Sequence, residues 1–228
     1  YNNSRAHNTE VEPMLSKTTT KPLGSNFGIS FCAALFTVLL MAALLMMSAR
    51  SFAMHHLESE AAALEARQLA VAERMIDAFY SFDPEQLAPL LEHATTSSAR
   101  ILYYQGWAKG GNYKVLERAP CRIDENKKIA CAITVQDDPV LALKTGFNVT
   151  DTFHLTFNGE HITAIETSSN DQPVYYEARK WVEANRPEVM SGPCKDRNAG
   201  GNTPEACARA MTKGYQEFYD AVVAPRAE

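Results

Sequence analysis

FNVTDTFHLTFNGEHITAIET, residues 147–167, reads as two alternating runs joined at Asn158-Gly159. A side-chain period of two puts Phe147, Val149, Asp151, Phe153, Leu155 and Phe157 on one face of the first run. Asn148, Thr150, Thr152, His154 and Thr156 fall on the other. An Asn-Gly pair between two such runs is the strongest short signal for an antiparallel hairpin. Working upstream, Ile129 to Gln136 and Tyr113 to Arg122 also alternate, and Asp137-Asp138-Pro139 reads as a turn. The residues before them have a helical period instead. Leu57 to Tyr80 lacks Gly and Pro, with Leu57, Leu64, Val71 and Met75 on one face and Leu69, Ala72, Ile76 and Phe79 widening the stripe. Phe82-Asp83-Pro84 ends that helix, Glu85 to His93 predicts a short second one, and Thr96-Ser97 caps a third running to Gly110-Gly111. Downstream, Val174 to Asn185 and Pro204 to Val223 predict two closing helices. The class is therefore α+β, helices packed on an antiparallel sheet.

Asp151 is the polar member of an otherwise apolar, inward face. Buried there, a carboxylate is desolvated, its pKa rises, and it becomes suited to act as a general base. The alternative places Asp151 at the mouth of the strand, solvated or paired with a Lys or Arg. Tyr103, Tyr104 and Trp107 on the third helix, with Phe153 from the strand, either line a pocket for a ring-shaped or acyl ligand or fill the core. His154 and His161 flank the hairpin turn and are placed to meet across it, but two histidines without a third ligand do not make a metal site. The sequence has no Gly-rich phosphate loop, Ser-His-Asp grouping or metal-ligand cluster, so neither a metal nor a cofactor is expected.

A second feature lies far from the hairpin. No charged residue occurs between Lys21 and Arg50, and Gly28 to Ala49 is apolar apart from Ser30, Thr37 and Ser48. At about 1.5 Å per residue the run is long enough for a hydrocarbon core of roughly 30 Å. It reads as a transmembrane helix over 27–50, after a flexible tail over 1–26 and before a stalk helix over 51–64. It is too long for the usual buried helix and starts too late for a cleavable signal peptide. Arg5, Lys17 and Lys21 precede the span, whereas Arg50 is followed by Glu58, Glu60 and Glu65, an asymmetry that places the N-terminus inside. The first residue is Tyr rather than Met, which reads as a processed or trimmed N-terminus.

Of five cysteines, Cys32 falls in the span, and the other four form two local pairs, Cys121 with Cys131 and Cys194 with Cys207. Disulfides in an oxidising compartment (periplasm, thylakoid lumen or intermembrane space) suit an even count in an outer domain. Buried free thiols are the alternative, and zinc lacks both C-x2-C spacing and a nearby His. With 22 Lys and Arg against 27 Asp and Glu, the net charge of -5 argues against nucleic acid as a partner. The partners expected are the lipid bilayer, other subunits of a membrane complex and an apolar small molecule.

Helices followed by a curved sheet with a long Phe-rich hairpin resemble the nuclear transport factor 2-like superfamily, which includes polyketide-cyclase-like domains. The likeness rests on AERMIDAFYSFDPEQLAPLL, TDTFHLTFNGEHITAIET and YYEARKWVEANRP and covers roughly residues 65–187. It implies a cone-shaped fold with a pocket between helices and sheet, and leaves 188–228 as a disulfide-stapled helical extension. Two functions follow as expectations. One is a non-catalytic accessory or scaffold subunit docking through its anchor and outer domain. The other is a membrane-tethered small-molecule binder or cyclase/isomerase-like enzyme with Asp151 as base.

Overall fold

The computed structural model describes residues 29–197 and 203–226, with side chains at 41 and from 54 onward. The expected tail over 1–26 lies outside the described residues, and so, Met41 apart, do the side chains of the expected span. Contacts divide the chain between His56 and Leu57. Helix α1 (Ile29–Tyr80) runs unbroken through 52 residues, as a stretch without Gly or Pro allows. Among the described residues no helix is long and apolar enough to cross a membrane.

The second unit, Leu57 to Glu228, carries the fold. The packed face of α1 is shorter than its apolar stripe: Leu57 is exposed and Leu64 half-buried, and burial begins at Val71 and continues through Ala72, Met75, Ile76 and Phe79. One turn earlier, Arg67 pairs with Glu160 at 2.7 Å and Gln68 donates to the Gly159 carbonyl at 2.7 Å, clasping the tip of the hairpin. Asp83 caps α2 (Pro84–Leu87), accepting from the Glu85 N–H at 3.0 Å. The expected helix to His93 instead tightens into a 3-10 turn over Ala88–Leu91, because Pro89 has no N–H to continue the α pattern. Ser97 precedes α3 (Ser98–Gly110) but does not cap it; its hydroxyl accepts from the Ile165 N–H at 3.0 Å, tying the helix to the sheet.

The sheet is curved, open and antiparallel in the order β1-β3-β4-β5, with β2 beside β3. Its strands are β1 (Lys114–Arg118), β2 (Arg122–Ile123), β3 (Ile129–Gln136), β4 (Val149–Asn158) and β5 (His161–Ser169). The single strand expected over Tyr113 to Arg122 is two, parted around Pro120, which cannot donate to a ladder. Asp137-Asp138-Pro139 is more than a turn: Asp137 caps a short helix, α4 (Asp138–Leu141). The hairpin has the expected faces. Ile129, Cys131, Ile133 and Val135 on β3 pair with Leu155, Phe153, Asp151 and Val149 on β4, and all eight are buried. Gly159 takes a positive φ of 57° in the turn, a conformation that favours glycine. A bulge between Thr156 and Phe157 shifts the register near the tip and leaves Phe157 half-buried.

Helix α5 (Pro173–Asn185) is followed by a short α6 (Pro187–Ser191) and then by α7 (Pro204–Phe218), which ends in a π turn over Tyr219–Val223. The C-terminal segment is built into the core. Cys207, Met211 and Tyr215 on α7 have no exposed surface, and α7 crosses α3 so closely that a Cβ at Gly110 would stand 2.4 Å from the Glu205 Cα. Both cysteine pairs are disulfides, Cys121–Cys131 and Cys194–Cys207, with Cα atoms 4.3 Å and 4.6 Å apart.

Candidate functional site

β4 carries Asp151 to the core side of the sheet, where it lies between Ile133 of β3 and Ser169 of β5. Only 5% of it is exposed. The Tyr104 hydroxyl on α3 is the polar group that favours its ionised form. Its Oδ2 has no partner. A carboxylate so placed is costly to ionise, because water is gone and one hydroxyl replaces several donors. Burial, with the like charge of Asp171 adding to it, pushes the Asp151 pKa up to about 6 against the opposing Tyr104 hydrogen bond. The alternative of a solvated or Lys- or Arg-paired Asp151 is not what the fold builds: no ion pair to it occurs among the described residues, and the charge that acts on it is an acid.

Beside Asp151 opens a cavity of about 320 Å³, walled by α3, α5, the strand ends and the disulfide loop. Tyr103, Tyr104 and Trp107 all line it. Phe153 does not. It has no exposed surface and is packed beneath the cavity, its ring 4.8 Å from Phe79 and stacked at 5.9 Å on Tyr104. A strand residue two places from Asp151 shares its face but not its depth, since α1 covers that part of the sheet.

Sequence reasoning missed a second buried acid. Asp137 is 2% exposed, caps α4 by accepting from the Val140 N–H at 2.8 Å, and lines the same cavity. Burial raises its pKa to about 7, with Asp151, Asp171 and Asp138 contributing like charge. The signal was present as Asp two residues before Pro, a cap followed by Pro in the first turn. Tyr113 lines the wall between the acids, its hydroxyl pKa raised by burial and by both carboxylates. Arg179 from α5 and Arg197 from the disulfide loop complete the charged lining.

The two histidines do not meet. His161 lies against His93, ring centroids 4.2 Å apart, and His154 lies between Ser168 and Asp124. The latter three have the connectivity of a nucleophile, base and orienting acid, with Ser168 Oγ 3.0 Å from Nε2 and Asp124 Oδ2 3.4 Å from Nδ1. Their side chains lie on the polar face of the sheet, where Thr152 faces Ser168, opposite to the face that carries Asp151. Nothing there holds a substrate over the serine, so the chain of hydrogen bonds reads as a surface tie between β4, β5 and the β2–β3 turn. Among the described residues no cluster of His, Cys, Asp and Glu has metal-site geometry.

The chain matches no family model, no curated protein and no solved structure.

Proposed function

We propose that this chain is a membrane-tethered small-molecule-binding protein whose pocket is equipped for proton transfer, with Asp151 as the acid/base group. The observation that carries the reading is a buried carboxylate with a free oxygen at the edge of a 320 Å³ cavity. That volume lies at the low end of the range of ligand pockets, about 300 to 1,000 Å³. Three aromatic rings supply stacking surface and Asp151 supplies a convergent polar group, the composition such sites have. A carboxyl with a pKa near 6 is divided between its two forms close to neutral pH, where it can accept a proton and return it.

The cone-shaped nuclear transport factor 2-like architecture belongs to this proposal, supported by the order of helices and curved sheet. So does the anchor, supported by the apolar run from Gly28 to Ala49. The two disulfides support placing the domain in an oxidising, extracytoplasmic compartment. The scaffold reading, in which the anchor packs against partners and the outer domain docks through its sheet and cysteine-stapled tail, predicts no use for an open cavity holding Asp151.

The test is a ligand screen on the full chain in mild detergent, read by the emission of Trp107 in a Trp181→Phe background. Binding of at least one small aromatic or acyl compound is expected, with the response lost in Ser169→Phe, which fills the cavity opposite Asp151. A cavity that takes no compound in a broad screen would overturn the reading.

A further inference from the structure

Charge in the cavity is divided. The acids Asp137, Asp151 and Asp171 gather where β4, β5 and α4 meet, whereas the bases Arg179 and Arg197 come from α5 and the disulfide loop. The Arg179 guanidinium is the informative one. Its Nε is buried without a hydrogen-bond partner, and no carboxylate among the described residues lies within ion-pair distance of it. Its carbon stands 5.5 Å over the Tyr175 ring. The groups that act on it are the phenols of Tyr175 and Tyr215, both held neutral by burial, and the Tyr215 hydroxyl is itself buried without a partner. Arg179 is therefore a half-buried cation at the cavity wall whose Nε–H is out of water and unused, with phenols and no carboxylate beside it, and an anion in the cavity would supply the missing partner.

Arg197 is positioned independently. It sits three residues after Cys194, inside the loop closed by the Cys194–Cys207 disulfide, and Glu183 of α5 holds one of its nitrogens. A guanidinium has five N–H donors, so the pairing leaves several for the cavity. The disulfide thereby has a second consequence beyond stability: it fixes the loop that brings a cation to the pocket.

We infer that the cavity takes a small organic anion, a carboxylate on a ring or acyl body, with its acidic group bound by Arg179 and Arg197 and a hydrogen-bond donor at its other end directed at Asp151. This rests on the proposed ligand-binding role and names the class of ligand. Arginine is suited to the task because its planar fork matches a carboxylate in two parallel hydrogen bonds. Specificity follows from the division of charge. A neutral analogue leaves Arg179 unpaired, and an anion inserted the other way round meets three carboxylates.

The experiment uses the full chain in detergent with the Trp181→Phe background and a panel of shape-matched pairs, benzoate with benzamide and 4-hydroxybenzoate with 4-hydroxybenzamide. Each acid should bind about tenfold or more tighter than its amide, a difference of about 1.4 kcal/mol. In Arg179→Met that preference should collapse while amide affinity holds. Arg197→Met, a change in the disulfide loop and outside the hydrophobic core, should weaken the acids alone and decides the matter if Arg179→Met fails to fold. Equal binding of acids and amides, unchanged by either variant, would overturn the anion assignment and leave the ligand-binding role standing. No binding of any member would overturn both.

Discussion

Asp151 shows how one residue's identity and depth combine. Its position on the inward face follows from alternation alone, whereas its burial to 5% depends on α3 and α5 closing over it, and no local pattern encodes that. Phe153 marks the same limit from the other side, since face was legible and depth was not. The raised pKa has a consequence for stability whose sign is opposite to that of a salt-bridged acid. The folded state holds the Asp151 proton up to about pH 6, whereas the unfolded chain loses it near 3.8, the ordinary value for an aspartate side chain. Between those values the folded state binds more protons, so stability falls as pH rises through that window and the penalty is complete above it. Asp151→Asn removes the ionisation and keeps an oxygen to accept from Tyr104. The variant should therefore gain about 2 to 3 kcal/mol over the wild type at pH 8 compared with the difference between them at pH 4. Urea melts at the two pH values measure this, and parallel pH profiles for both proteins would contradict it.

At the scale of elements, the turn of the β4–β5 hairpin and its faces from Val149 to Leu155 were legible from alternation and Asn158-Gly159, whereas the bulge before Phe157 and the start at Val149 rather than Phe147 were not. Where the reading failed, proline was the usual cause. Pro120 divides the first strand, Pro89 converts the second helix to a 3-10 turn, and Asp137-Asp138-Pro139 starts a helix that a turn reading overlooked. In the first two a missing N–H outweighs the pattern around it, and in the third the Asp137 cap puts proline in a first helical turn, where its missing N–H costs nothing. The packing of α7 on α3 was not legible, because a glycine at a helix end reads as a stop signal and not as a contact. Gly110→Ala tests that contact. Alanine adds about 0.5 to 1 kcal/mol of helix preference over glycine, but its Cβ would meet Glu205 backbone at 2.4 Å, where nothing flexible can yield. The clash should prevail, with a net loss of about 1 to 3 kcal/mol by denaturant melt. A gain in stability would mean that α7 does not press on α3 as described.

For the whole molecule, the α+β class, the inward face of the sheet and both disulfide pairs could be read from the sequence, because each depends on local pattern or spacing. The cavity could be read only in part: Tyr103, Tyr104, Trp107 and Asp151 were candidates for its lining, whereas Asp137, Arg179 and Arg197 come from segments that no local pattern brings together. The C-terminal segment changes meaning at this scale. Expected as a disulfide-stapled helical extension, it supplies a helix with buried core residues and one of the cavity's two arginines. A pocket assembled from α3, α4, the strand ends, α5 and the disulfide loop, with a buried acid at one side and an arginine with an unpartnered Nε at the other, is the central feature of the account. Its most direct test is to purify the full chain and its Ser169→Phe variant from the same host under the same mild conditions and compare the small molecules released on denaturation by mass spectrometry. The account predicts an organic acid that accompanies the wild type and is absent from the filled variant; identical small-molecule profiles from the two would contradict it.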